Sequence, residues 1–144
     1  MLKRISKRRV LLVDDEPDVC MVYQIVLQMA GYDCRYYTDS VKALNEFVPS
    51  CYDLILLDVK MPVLDGFELH KKIRDLDKNI QIIFTTAGGE YHDEIIKQLS
   101  MEENNKFTYI QKPIGNDELI RVLNMIMGEP TRYGRYADSN VKSV

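Results

Sequence analysis

Long apolar runs are missing from this chain. None approaches the ~18–20 residues needed to cross a bilayer, and the apolar run nearest the N-terminus, VLLV at 10–13, ends at Asp14. The opening MLKRISKRR is positively charged but has no hydrophobic segment behind it. That argues against a secretory signal and predicts a cytoplasmic protein with no membrane association. Cysteine is scarce. Cys20, Cys34 and Cys51 are odd in number, lie 14 and 17 positions apart and form no CxxC pair. Neither a disulfide framework nor a zinc site is suggested, so they read as free thiols, some of them buried. The two histidines, His70 and His92, have no Cys or His partner at ligand spacing and are expected at the surface. The body also lacks basic charge. Residues 10–127 carry 11 Lys and Arg against 20 Asp and Glu, whereas residues 1–9 carry five basic residues and no acidic one. Such a body is a poor nucleic-acid surface and suits a cation or a basic partner, so direct nucleic-acid binding is not expected.

With 144 residues, 46% of them apolar, the chain is long enough for one domain with a sizeable core. Its periodicity alternates. VLLV (10–13) reads as a strand buried on both faces. A helix follows Pro17, with Val19, Val22, Val26 and Met29 as its apolar positions and Gly31 as its stop. Asp33–Tyr37 is a second strand, and Ser40 is expected to cap a helix carrying Val41, Leu44, Phe47 and Val48. LILL (54–57) is a third strand, followed after Gly66 by a helix with Leu69, Ile73 and Leu76. IIF (82–84) is a fourth strand, Ile95, Ile96 and Leu99 suggest a fourth helix, FTYI (107–110) is a fifth strand, and a last helix after Asn116 carries Leu119, Val122, Leu123 and Ile126. This is (βα)₅, an α/β pattern that implies a parallel, doubly wound five-stranded sheet with helices on both faces. The body is expected over 9–127, preceded by a basic arm (1–8). Residues 128–144 have no periodicity and read as a disordered tail too short for an output domain.

In open sheets of this kind the active crevice lies beyond the carboxyl ends of the strands. Strand 1 ends in Asp14-Asp15-Glu16, strand 3 in Asp58, strand 4 in Thr85-Thr86, and strand 5 runs into Gln111-Lys112-Pro113. Two carboxylates about 4 Å apart repel by roughly 4 kcal/mol at an effective dielectric near 20. Three would not be gathered there without a cation, and one lysine offsets only part of the charge. A hard divalent ion with oxygen ligands, Mg²⁺ in particular, fits best, with Mn²⁺ as a substitute. Asp58 beside such an ion is placed to take a phosphoryl group as an acyl phosphate. The ion and Lys112 would neutralise the transferring group, and Thr86 could hydrogen-bond one of its oxygens.

VLLVDDEPDV, LILLDVKMPVLDGFEL, TTAG and YIQKP, in that order, closely resemble the receiver domain of two-component response regulators, over about residues 9–127. The resemblance implies a flavodoxin-like strand order 2-1-3-4-5. It implies that Asp58 is the phosphoacceptor, that Asp15 binds Mg²⁺ directly and Asp14 mostly through water, and that the Lys60 backbone carbonyl is a further ligand. Lys112 matches the site lysine, Thr86 the switch hydroxyl and Tyr109 the switch aromatic. The implied function is a stand-alone phosphorylation switch that is not an enzyme on other substrates. A sensor histidine kinase or phosphotransfer protein would supply the phosphoryl group. Thr86 would then move toward the phosphate and Tyr109 turn inward, remodelling the face formed by the fourth helix, fifth strand and fifth helix for a downstream protein. Such a chain would be a monomer or a phosphorylation-dependent dimer.

The match departs from the family between Thr86 and Lys112, which are 26 positions apart, a few more than usual. MEENNKF stands where a small Gly-Ala pair is common, and Ile114 replaces the common Phe after Lys-Pro. This departure keeps open an alternative, a receiver-like scaffold that binds partners without phosphorylation. A phosphohydrolase of the haloacid dehalogenase type would need an Asp-x-Asp pair where the chain has Asp14-Asp15-Glu16-Pro17.

Overall fold

The computed structural model describes residues 7–87, Lys97, Met101, 108–128 and 142–143. Its strands are β1 (Arg9–Val13), β2 (Asp33–Tyr37), β3 (Leu54–Asp58), β4 (Gln81–Ala87), β5 (Thr108–Lys112) and β6 (Lys142–Ser143). Its helices are α1 (Pro17–Met29), α2 (Ser40–Glu46), α3 (Gly66–Leu76) and α4 (Asn116–Met127). The helix expected around Ile95, Ile96 and Leu99 lies outside the described residues, although Lys97 and Met101 are helical.

Strands β1 to β5 are parallel in the order β2-β1-β3-β4-β5, as expected. The sheet has one strand more than the sequence predicts. Lys142–Ser143 pairs antiparallel with the outer edge of β5.

The central strands β1 and β3 are apolar over 10–13 and 54–57 because both faces are covered there. Alternate residues go to opposite sides. Leu11, Val13, Ile55, Leu57 and Phe84 pack with Ala43 and Phe47 near α2 and with Leu69 and Ile73 of α3. Val10, Leu12, Leu54, Leu56 and Ile83 pack with Cys20, Tyr23 and Leu27 of α1 and Leu119, Val122 and Leu123 of α4.

Several helix faces differ from the expected ones. In α1 the buried residues are Cys20, Tyr23 and Leu27, while Val22 and Met29 are exposed. The helix of 40–46 is capped by Asp39, whose side chain accepts from the Val41 and Lys42 N–H groups, and Ser40 is buried instead. His70 is also buried, against the surface expectation. Its Nδ1 lies 2.7 Å from the Phe67 carbonyl, and its ring meets Phe84 edge-on at 5.3 Å. His92 lies outside the described residues. All three cysteines are free, and burial pushes the Cys20 and Cys34 thiols up to about 12. At neutral pH these two are packing groups rather than nucleophiles. Among the described residues no helix is long and apolar enough to cross a membrane.

Candidate functional site

The pleat explains how three strands deliver their side chains to one place. Asp14 continues the alternation Val10–Leu12, Asp58 continues Leu54–Leu56, and Lys112 follows Ile110, so all three project on the α1/α4 side of the sheet at its carboxyl end. Asp14 is fixed by local hydrogen bonds. Its N–H donates to the Tyr37 carbonyl at 3.2 Å, its Oδ1 accepts from the Glu16 N–H at 3.0 Å, and its carbonyl accepts from the Cys20 thiol at 3.2 Å. Asp58 is held by its strand and by the loop that follows. The Val59 N–H donates to the Thr85 carbonyl, and the Gly66 N–H donates back to the Val59 carbonyl at 2.8 Å. A Cβ at Gly66 would lie 2.4 Å from the Asp58 carbonyl oxygen, so the loop can close only because no side chain is there.

Carboxylate oxygens of Asp14, Asp15 and Asp58 lie within 4.8 Å of one another. The Lys112 ammonium donates to Asp14 Oδ2 at 2.6 Å and lies 3.6 Å from Asp58 Oδ1. Asp14 and Asp58 are buried and Asp15 is exposed. One cation facing three carboxylates leaves the charge undercompensated, and the consequence is visible at Asp58. Burial, with Asp14 and Asp15 adding to it, pushes its carboxyl up to about 7, against the opposing pull of Lys112 and the Lys60 N–H. For Lys112, burial works against the charged form, but the Asp14 hydrogen bond and the charges of Asp58, Asp14 and Glu16 outweigh it, so the ammonium holds its proton more tightly than usual. Hard oxygen donors with residual negative charge, one of them open to solvent, fit a divalent cation.

The remaining site residues are placed as follows. Lys60 is exposed, and its N–H bonds the Asp58 carboxylate. Thr86 is buried at the end of β4, one residue beyond Thr85, which is the register partner of Asp58. Tyr109 is buried beside its register partner Phe84 in the α2/α3-side core. The period of two puts Thr86 on that same side, so Thr86 and Tyr109 share a face that Asp58 does not. Two residues escaped the sequence reading. Val63, in the loop after Asp58, is 90% exposed and holds φ +69°, while the Leu64 N–H donates across it to the Pro62 carbonyl at 2.8 Å. Only the Pro at 62 hinted at this tight turn. Asp77 had no motif to mark it.

Comparison with known proteins agrees with this geometry. Residues 10–124 match the response regulator receiver domain. The chain is 32% identical over 115 residues to sporulation initiation phosphotransferase F of Bacillus subtilis, a match covering 80% of this chain and 90% of that protein. It is 31% identical to the transcriptional regulatory protein RprY of Bacteroides fragilis over 100% of this chain but 59% of RprY. The match to the transcriptional regulatory protein TrcR of Mycobacterium tuberculosis likewise spans 52% of that protein. Among solved structures, the chemotaxis response regulator CheY4 of Vibrio cholerae aligns with a TM-score of 0.72 and 27% identity, over 85% of this chain and 100% of that one. The response regulator TrrA of Thermotoga maritima, solved in complex with Mg(2+)-BeF, aligns with a TM-score of 0.67 and 30% identity, over 83% of this chain and 99% of that one. With its sheet order, its three gathered aspartates and its lysine, the chain belongs to the response regulator receiver domain family of two-component signalling.

Proposed function

We propose that the chain is a phosphorylation switch whose phosphoacceptor is Asp58. The observation that carries this reading is the Asp14–Asp15–Asp58 cluster within 4.8 Å, with Lys112 reaching two of its members. An Asp58 carboxylate oxygen attacks the phosphorus of a phosphohistidine on a sensor kinase or phosphotransfer protein. The O–P bond forms as the N–P bond breaks, and the electron pair returns to the imidazole nitrogen. Asp14, Asp15, Asp58 and the Lys60 carbonyl would hold Mg²⁺, which supplies charge neutralisation at the phosphoryl oxygens. Lys112, which reaches both Asp14 and Asp58, would share that task.

Thr86 and Tyr109 form the switch pair in this reading. Their shared face supports the coupling, since a Thr86 hydroxyl drawn toward a phosphoryl oxygen frees space beside Tyr109. Tyr109 is already buried here, so the inward side chain is one that the unphosphorylated sheet accommodates. The output is protein binding rather than catalysis on another substrate.

The test is intact mass after incubation with Mg²⁺ and a small acyl-phosphate donor, with Asp58→Asn and a chelator as controls. A single phosphoryl increment is expected, dependent on Mg²⁺ and absent in Asp58→Asn. No increment from the donor or from a panel of sensor kinases would favour the scaffold that works unphosphorylated.

A further inference from the structure

Among the five parallel strands, β5 is at the end of the sheet, and such an edge presents backbone N–H and C=O groups on which another strand can add. In this chain the edge is taken. Lys142–Ser143 lies antiparallel along it, Ser143 opposite Thr108 and Lys142 opposite Tyr109. We propose that this segment of the chain's own tail closes the β5 edge against a second copy of the protein.

Direction is the first argument. Two identical strands can pair edge to edge about a twofold axis only when they run antiparallel, and closed pairs of identical chains are most often twofold. The tail strand uses that same antiparallel sense. The tail and the β5 of a second copy therefore claim the same backbone groups in the same orientation, and one excludes the other.

Reach is the second. Residues 128–141 connect the end of α4 to the tail strand. A connection this short gives an effective concentration on the order of millimolar. At micromolar protein the tethered segment outcompetes an untethered strand of similar strength. Among the described residues the ladder pairs two positions, which leaves the segment weak enough to be displaced. The backbone register of the tail strand on β5 carries this inference, which stands apart from the phosphotransfer reading.

The test compares the 144-residue chain, a Lys142→Pro/Ser143→Pro double variant and a Lys142→Ala/Ser143→Ala control. Proline removes the backbone donors, whereas alanine keeps them. The substitutions leave the described core residues unchanged, and the melting temperature checks that the fold is intact. Hydrogen exchange reports the β5 amides that face away from β4, and sedimentation velocity from micromolar to millimolar protein reports association. In dilute solution these amides should exchange at least about tenfold faster in the proline variant than in the other two chains. The proline variant should dimerise at lower concentration than the other two chains, which remain monomeric at micromolar protein. Equal exchange in all three chains overturns the proposal. So does wild-type protection that grows with concentration, which would mean that the tail comes from another copy. A proline variant with an open edge that stays monomeric at millimolar concentration overturns it as well.

Discussion

Asp58 is poised between two charge states, and its pH response follows from burial. Its folded value, about 7, lies above the ordinary 3.8, so the fold favours the protonated form. The associated stability is fully present below about pH 4 and is lost as pH rises through about 7. Each tenfold change in proton affinity is worth about 1.4 kcal/mol, so urea titrations in chelator should show the wild type losing on the order of 3 kcal/mol between pH 4 and 8. Asp58→Asn should stay level across that range and become the more stable protein at pH 8. A wild type as flat as the variant would mean that the carboxylate is far better solvated than its position implies. Gly66 makes a second demand on the same strand end. A Cβ there would meet the Asp58 carbonyl oxygen at 2.4 Å and the Val59 Cα at 2.8 Å, both backbone atoms that cannot turn aside. Gly66→Ala should therefore destabilise the fold by about 2–4 kcal/mol and slow acyl-phosphate labelling, because the loop must move away from Asp58. Labelling at the wild-type rate would show that the loop yields without moving the carboxylate. The aspartates were legible in the sequence because each ends an apolar run. Gly66 was legible only as part of a motif, since the close approach it permits is between backbone segments that no spacing rule brings together.

β1, β2 and β3 were read to within one residue, whereas β4 and β5 run three and two residues further than their apolar stretches 82–84 and 107–110. The runs at 10–13 and 54–57 were legible because a continuous apolar run suits burial on both faces of a doubly wound sheet. The four helices among the described residues lie where periodicity placed them, but their buried faces were harder to assign. In α1, Val19, Val22, Val26 and Met29 keep helical spacing as well as Cys20, Tyr23 and Leu27 do, and hydropathy favoured the first set. Tyr23 and Cys20 instead pack beneath β1 and β3, leaving Met21, Val22, Ile25 and Met29 toward solvent. His70 was misplaced for a related reason, because its polarity hid the fact that it stands one position from Leu69 on the inner face of α3. Asp77 carries the element-level prediction. Buried at the end of α3, it accepts hydrogen bonds from the N–H groups of Ser50, Asn79 and Ile80 at 3.0, 3.0 and 3.2 Å. It thereby ties the loop before β3 to the loop before β4. The Ser50 bond, helped by the other two and opposed by burial, holds its carboxyl below the ordinary value. Asp77→Ala leaves these donors without their acceptor and should cost about 2 kcal/mol in a denaturant titration near neutral pH. Because the folded value is depressed, the wild-type advantage is present above about pH 4 and fades as pH falls through the folded value. A difference that persists undiminished in strong acid would assign the effect to packing rather than to the carboxylate.

The acidic body, with its 20 carboxylates against 11 cations over residues 10–127, gathers three of those carboxylates at the carboxyl end of the sheet. Any ion bound there is linked to global folding, because Asp14, Asp15 and Asp58 come from loops and strands that converge only in the native state. A ligand of the folded form alone stabilises by about 2.7 kcal/mol at a hundred times its dissociation constant. Mg²⁺ should therefore raise the melting temperature in a saturating, concentration-dependent way, and the gain should be larger at pH 8 than at pH 5, where protonation of Asp58 competes with the ion. Asp15 separates this linkage from general charge screening. It is exposed and contributes little packing, so Asp15→Asn should melt in chelator at or slightly above the wild-type temperature, with one like charge fewer beside Asp14 and Asp58. The same variant should lose most of the Mg²⁺-dependent rise, while an equal ionic strength of NaCl should leave wild type and variant alike. If Asp15→Asn kept the full Mg²⁺ response, the ion would be held by Asp14 and Asp58 alone, and the direct-ligand role would pass from the exposed carboxylate to the buried pair.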